Sequence, residues 1–322
     1  MAPVPTGVYH LLNADENPLV EVTVKCVSLP RDRKAARIFV QAYLEGLSAN
    51  HVKTFELEKN AEKSIRLLPT LLPDKVRFIN EVQRATLHVI VEDLDGSTEL
   101  HDSVTVNILA RNSGLNAMID PVTKKSTDLT RYYGAWVTPH AEPILKLLRQ
   151  AAEKTKDRTI SGYLTGKAKD VTDQAKALFD TLKNEHKITY INSVIDFGAG
   201  ASYFSQRARL PRESIDQSSA NCLDGTLLFA SLLEAAALKP AIVLFPGHAL
   251  VAWQNSDEDD EDSSSDALFE NWTFLETTMI GSRSFEEAIN YGARQVEFEF
   301  GKPEFRMHKL MDLRLNGIYP ME

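Results

Sequence analysis

Cysteine is nearly missing from this chain: Cys26 and Cys222 are the two among 322 residues, too few and too far apart for a disulfide framework. Neither has the neighbouring histidine or cysteine spacing of a zinc site. Basic clusters are also scarce. Lys and Arg number 36 against 45 Asp and Glu, a net charge of -9, and such a field repels nucleic-acid backbones and anionic membranes. No apolar run approaches the ~18 residues of a transmembrane helix. The opening Met1-Ala2-Pro3-Val4-Pro5 lacks the charged and apolar blocks of a signal peptide. A cytoplasmic protein is therefore expected, with neither nucleic acid nor membrane as partner. No glycine-rich phosphate loop of the G-x-x-x-x-G-K-S/T type occurs, and no cofactor or metal is expected.

What is present is enough apolar content, 43%, for one large or two ordinary domains with cores of their own. Val20, Val22, Val24 and Cys26 alternate with Glu21, Thr23 and Lys25, the period of a half-buried strand. Similar faces are offered by Ile38 to Leu44, by Phe55 and Leu57, by Leu87 to Val91 and by Val104 to Ile108. Polar turns such as Asn13 to Asn17 and Asp93 to Gly96 separate them. The pattern predicts an Ig-like antiparallel β-sandwich over residues 1–112, with Cys26 as a small core residue. Residues 113–130 turn polar and read as a linker.

From about residue 131 the period becomes helical. Pro143 to Leu148 opens one helix, and Val171, Ala175, Leu178 and Leu182 define one face of a second. Residues 223–238 are apolar on nearly every side and predict a buried helix. Two strand-like runs follow, Ala241 to Phe245 and His248 to Trp253. After the acidic tract 257–266 comes a third, Trp272 to Leu275. The tract carries too little apolar content to order itself and is expected to be a mobile, solvated loop at a hairpin tip. It lacks the turn glycine and alternating ligands of an EF-hand, so a calcium site is not expected. Phosphorylation of Ser263 to Ser265, or docking of a basic partner, is the alternative use of this loop.

Cys222 stands just before the buried helix, where unpaired N–H groups and the helix dipole favour a thiolate. His248 opens a strand 26 residues later, and Glu276 ends another after a further 28. An antiparallel hairpin pairing Trp253 with Asn271 would set His248 directly opposite Glu276. A carboxylate beside an imidazole fixes its tautomer, and the second ring nitrogen can then take a thiol proton. Asp224, in the first helical turn, is read as complementing the helix dipole. Trp253 and Trp272 are read as core aromatics rather than cleft walls. Arg207, Arg209 and Arg212 are read as solvated charges rather than contacts to an acidic substrate.

The run Asn221-Cys222-Leu223-Asp224-Gly225-Thr226-Leu227-Leu228-Phe229-Ala230, with Gly247-His248-Ala249-Leu250-Val251-Ala252-Trp253 and Leu275-Glu276-Thr277-Thr278, resembles the core of the transglutaminase-like cysteine protease superfamily, most of all its bacterial members. The likeness covers about residues 170 to 290. It implies a papain-like core, here residues 131–322, in which Cys222, His248 and Glu276 form a catalytic triad. The family more commonly has Asp at the third place. Among related bacterial proteins, the stretch before the nucleophile resembles Tyr203 to Pro211. This makes Gln206 the candidate side-chain donor to the oxyanion, with Gln217 as runner-up beside the N–H of Cys222.

The expectation is an α+β protein, a β-sandwich followed by a transglutaminase-like cysteine hydrolase. It would cut a protein or peptide amide through Cys222, His248 and Glu276, and be restrained by the sandwich or by a partner protein docked there. The alternatives are a catalytically silent scaffold that binds a protein segment, a transamidase, or a small-molecule amidase.

Overall fold

The computed structural model describes residues 3–94, 98–119, 123–192, 203–258 and 265–321. The protein is a mixed α+β chain with mostly antiparallel sheets. It forms two compact units, one running to Leu129 and taking in the later segment that ends at Gln206, the other made of the remaining chain.

In the first unit, β1 (Val4–Pro5), β2 (Val20–Lys25), β3 (Ala35–Leu44), β4 (His51–Glu58) and β5 (Glu62–Leu67) precede a short helix α1 (Pro73–Val76). The long hairpin of β6 (Gln83–Asp93) and β7 (Thr98–Leu109) follows, then β8 (Ser113–Ile119) and β9 (Ser126–Asp128). One five-stranded sheet has the order β1-β7-β6-β3-β4, and β2 pairs with β5 alone. Ile38, Val40 and Ala42 from the larger sheet share a core cluster with Val20, Val22, Ile65 and Leu67 from the smaller. Burial of these alternating apolar rows is the main force holding the two sheets together. Cys26 belongs to the same cluster and is 8% exposed.

The expected linker does not exist in that form. Residues 113–119 and 126–128 are β8 and β9, paired antiparallel through Ala117 and Asp128, Met118 and Thr127, and Ile119 and Ser126. Ser113, Gly114 and Leu115 are buried. Small and polar residues hide the alternation here, because the strand's partners rather than its own side chains supply the burial. The strand β5 is equally hidden in the sequence, since only Ile65 and Leu67 are buried in Glu62–Leu67. The turn expected at Asn13 to Asn17 is present, closed by the Asn17 N–H on the Asn13 carbonyl at 2.9 Å. The one expected at Asp93 to Gly96 falls partly outside the described residues.

The second unit begins with a 3-10 turn (Thr130–Trp136), then α2 (Glu142–Ala152), α3 (Ala168–Asn184) and β10 (Thr189–Tyr190). Val171, Ala175, Leu178 and Leu182 are all buried, as their spacing requires. The strand β11 (Tyr203–Arg207), which up to Gln206 belongs to the first unit, joins β8 there in a three-stranded sheet. Next come α4 (Pro211–Asp216), β12 (Ser219–Ala220), α5 (Cys222–Ala235), β13 (Pro240–Phe245) and β14 (His248–Gln254). The chain ends with α6 (Ser265–Asn271), β15 (Trp272–Leu275), α7 (Phe285–Glu299), β16 (Arg306–Lys309) and α8 (Leu310–Leu315). Their antiparallel sheet has the order β15-β14-β13-β16.

The helix α5 is buried along almost its whole length, in keeping with its near-uniform apolar sequence. Trp253 is fully buried and stacks on Phe285 of α7 at 6.4 Å, with Phe229 of α5 at 6.3 Å. Trp272 is 3% exposed and lies in the cluster beneath the sheet. Both tryptophans are therefore core residues. The acidic tract is not wholly a loop, because its last two residues, Ser265 and Asp266, open α6. Residues 259–264, including Ser263 and Ser264, lie outside the described residues. Asp257 is paired through Oδ1 with Lys239 at 2.9 Å.

Candidate functional site

Asn221 caps α5: its Oδ1 accepts the Asp224 N–H at 2.8 Å, and its own N–H donates to Asp224 Oδ2 at 3.3 Å. This reciprocal cap starts the helix at Cys222. The first N–H groups of a helix have no acceptor within it, so the Cys222 N–H is available by geometry to a developing oxyanion. Cys222 is partly exposed, whereas Cys26 is buried.

Asp224 does more than complement a dipole. It is 1% exposed, and its two oxygens accept the Arg209 backbone N–H and Nε–H, both at 2.8 Å. Arg209 Nη1 also donates to Gln217 Oε1 at 2.7 Å and to Ser219 Oγ at 3.0 Å. The reading of Arg209 as a solvated charge is thus overturned: its side chain is 17% exposed and ion-paired to a buried carboxylate. Gln217 is held by Arg209 through its amide oxygen. Arg207 is half-buried and Arg212 exposed. Gln206 is half-buried on β11 within the first compact unit. Truncating Arg209 would leave Asp224 buried and charged without its partner. Arg209→Ala is expected to cost about 3–5 kcal/mol, read as a lowered denaturant midpoint.

The second part of the site is set by sheet register. β14 and β15 pair Val251 with Leu275, Ala252 with Phe274 and Trp253 with Thr273. The expected register, with Trp253 on Asn271, is off by two residues. A shift of two preserves the face on which every side chain points, whereas a shift of one would reverse it. His248 and Glu276 therefore still meet, diagonally rather than directly opposite. The longer reach of Glu suits that offset. His248 Nε2 donates to Glu276 Oε2 at 2.6 Å. A carboxylate only accepts, so Nε2 carries the hydrogen.

Glu276 is 1% exposed and caps a 3-10 turn, Thr277–Met279. Its Oε1 accepts the Thr278 N–H at 3.0 Å and the Thr278 hydroxyl at 2.6 Å. Burial pushes this carboxyl's pKa up. The bond and charge of His248, then the two bonds from Thr278, more than reverse that and hold it below the usual carboxylate range. With Nε2 bonded to Glu276, Nδ1 is the ring nitrogen left to face the Cys222 sulfur, which is near enough to bear on the ring's basicity. Burial alone would lower the ring's pKa. Cys222 and Glu276 raise it instead, to about 9.

Two glycines let these parts close up. A Cβ on Gly225 would fall 2.8 Å from Thr277 Oγ1, and one on Gly292 would fall 3.1 Å from the Glu276 nitrogen. Neither contact is tolerable without movement. The Thr277 hydroxyl and Thr226 hydroxyl both donate to the Cys222 carbonyl, at 3.4 and 2.8 Å. The helix that begins at Cys222 and the turn that Glu276 caps are thus stitched to one another.

Sequence reasoning did not single out Tyr133 or Tyr190. Tyr133 is 2% exposed, and burial with the charge of Cys222 raises its pKa. Tyr190 is 44% exposed, and its pKa is raised by burial and then by the charges of Cys222 and Glu276. The signal that could have found Tyr190 is a strand pairing across the chain, which no local pattern carries.

His248 yields a pH prediction. Its folded pKa, about 9, lies above the ordinary value near 6.5, so the folded state holds this proton more tightly. Stability from it is complete below ~6.5 and is lost as pH rises through ~9. An NMR titration of the imidazole is expected to give a midpoint near 9 in the wild type, moving down in Cys222→Ala.

No protein-family model matches the chain, and no curated protein matches it in sequence. Among the described residues, no group of three or more His, Cys, Asp or Glu side chains could hold a metal ion. No helix among them is long and apolar enough to cross a membrane. A partly exposed thiol, an imidazole of raised basicity and a buried carboxylate are the groups that could serve as nucleophile, base and orienting group.

Proposed function

We propose that the chain is a cysteine-dependent amide hydrolase of the transglutaminase-like kind, acting on a protein or peptide substrate. The observation that carries this reading is the 2.6 Å bond from His248 Nε2 to the buried Glu276, together with a partly exposed Cys222 at a helix start that raises the basicity of the same ring. His248 holds the proton that the thiol gives up, sulfur attacks the carbonyl carbon, and the Cys222 N–H steadies the oxyanion. The protonated ring then passes its proton to the leaving nitrogen as the C–N bond breaks, which leaves a thioester. Water, deprotonated by the same ring, adds to the thioester, and C–S cleavage returns the thiol and a carboxylic acid.

The finer fold assignment belongs to this proposal. A β-sandwich reading of the first unit is supported by two sheets sharing one apolar cluster. A papain-like reading of the second is supported by a helix-start cysteine followed by an antiparallel sheet that bears the histidine and carboxylate. In this reading the sandwich, or a protein docked there, restrains the enzyme.

Incubation with a peptide library in water enriched in oxygen-18 tests the reading. Hydrolysis should place the heavy oxygen in new carboxyl termini, and brief acid quenching should trap an acyl group on Cys222. Intact peptides and an unmodified Cys222 throughout would refute it.

A further inference from the structure

The approach to the nucleophile is built from a short parallel pair. β10 runs beside β12, with Thr189 opposite Ser219 and Tyr190 opposite Ala220. The Ile191 N–H donates to the Ala220 carbonyl at 3.0 Å and the Thr189 N–H to the Ser218 carbonyl at 3.0 Å. Since β12 leads into Asn221 and Cys222, this pairing fixes Tyr190 alongside the nucleophile. The other side of β10 is tight as well: a Cβ on Gly281 would come within 2.6 Å of the Ile188 carbonyl oxygen. The backbone leading to Tyr190 is thus fixed, by β12 on one side and near Gly281 at Ile188 and Thr189, while the Tyr190 side chain is 44% exposed.

A large aromatic side chain so placed is costly to leave in water and useful to cover. Ile191, next along the chain, is 53% exposed and extends the uncharged surface. On the histidine side, Phe245 packs its ring 5.2 Å from that of His248. Among the described residues, the Glu276 carboxylate is already engaged by His248 and Thr278 and offers no counter-charge to a charged substrate side chain.

We infer that Tyr190 is a specificity-determining residue, forming an apolar wall for the acyl-donor side chain beside the scissile amide, and that preferred substrates carry a large apolar or aromatic residue there. This rests on the hydrolase reading above. An acyl carbon bonded to Cys222 Sγ brings its adjoining side chain close to the sulfur, on the side where Tyr190 pairs with Ala220, two residues before Cys222. The tyrosine ring, rather than its hydroxyl, provides the contact.

The probes are acetyl-dipeptidyl chloromethyl ketones that differ only in the residue beside the reactive carbon: Phe, Leu, Asp or Lys. Second-order labelling rates of Cys222 are measured by intact mass, with iodoacetamide as a reagent lacking any side chain. The wild type should react at least about tenfold faster with the Phe and Leu probes than with Asp or Lys. With each probe rate divided by the same variant's iodoacetamide rate, Tyr190→Phe should keep that ratio and Tyr190→Ala should lose most of it. An unselective wild type, an undiminished ratio in Tyr190→Ala, or equal losses in the Phe and Ala variants would overturn the inference. Those failures differ from failure of the hydrolase reading, in which iodoacetamide itself would find no reactive Cys222.

Discussion

Cys222→Ala is expected to lower turnover of any amide the wild type cleaves by at least about four orders of magnitude, with the fold retained. The two effects separate because the bonds that anchor this position run through its backbone. The Cys222 carbonyl accepts from Thr226 and Thr277, and the cap is made by Asn221 and Asp224. Removing a partly exposed sulfur should cost about 1 kcal/mol or less in stability, measured by denaturant unfolding beside the activity assay. Turnover within tenfold of the wild type would remove Cys222 from the chemistry.

Glu276→Gln is the second large effect, a loss on the order of 10³–10⁴ in kcat/KM. The amide keeps the shape of the carboxylate but withdraws its charge from a buried position that is 1% exposed. Thr278 gives two hydrogens to Oε1, so the substituted side chain's oxygen is drawn to that site. Its NH₂ group then faces His248 Nε2 and favours the tautomer with hydrogen on Nδ1. That tautomer cannot accept the thiol proton. The His248 pKa should fall with it, because two of the contributions that raise it come from Glu276. Glu276→Asp should fall between the two, since a side chain one methylene shorter cannot span both Thr278 and His248. Kinetics and imidazole NMR on the same variants check both statements, and an unchanged kcat/KM in the Gln variant would contradict the assigned role.

Much of this site was legible in the sequence because each member sits at the end of a strongly patterned element. The apolar helix after Cys222 and the runs beginning at His248 and Trp272 announce themselves by periodicity, and β14 and β15 begin where the patterns do. The register was not legible to the residue. The hairpin's tip is polar and long, so nothing local fixes which residue faces which, and the pairing is displaced by two from the simplest choice. The site tolerates this because face parity survives and Glu reaches further than Asp.

What escaped the sequence depends on partners distant in the chain. Arg209 looks like one of three surface arginines until Asp224, fifteen residues on, is buried against it. β8 has no apolar alternation of its own and takes its place from β9 and β11 on either side. Gly225 and Gly292 look like helix weaknesses, yet each admits a backbone or side chain at under 3 Å from where a Cβ would stand. In every instance the missing information is tertiary, carried by contact rather than by pattern.

The rate of Cys222 alkylation by iodoacetamide, compared across the wild type, His248→Ala and Glu276→Gln, tests the coupled thiol, imidazole and carboxylate most directly. Cys222 should react far faster than Cys26 in the wild type and lose at least about tenfold of that rate in His248→Ala, with a smaller loss in Glu276→Gln. Equal Cys222 rates in all three proteins would contradict the coupling and with it the proposed chemistry.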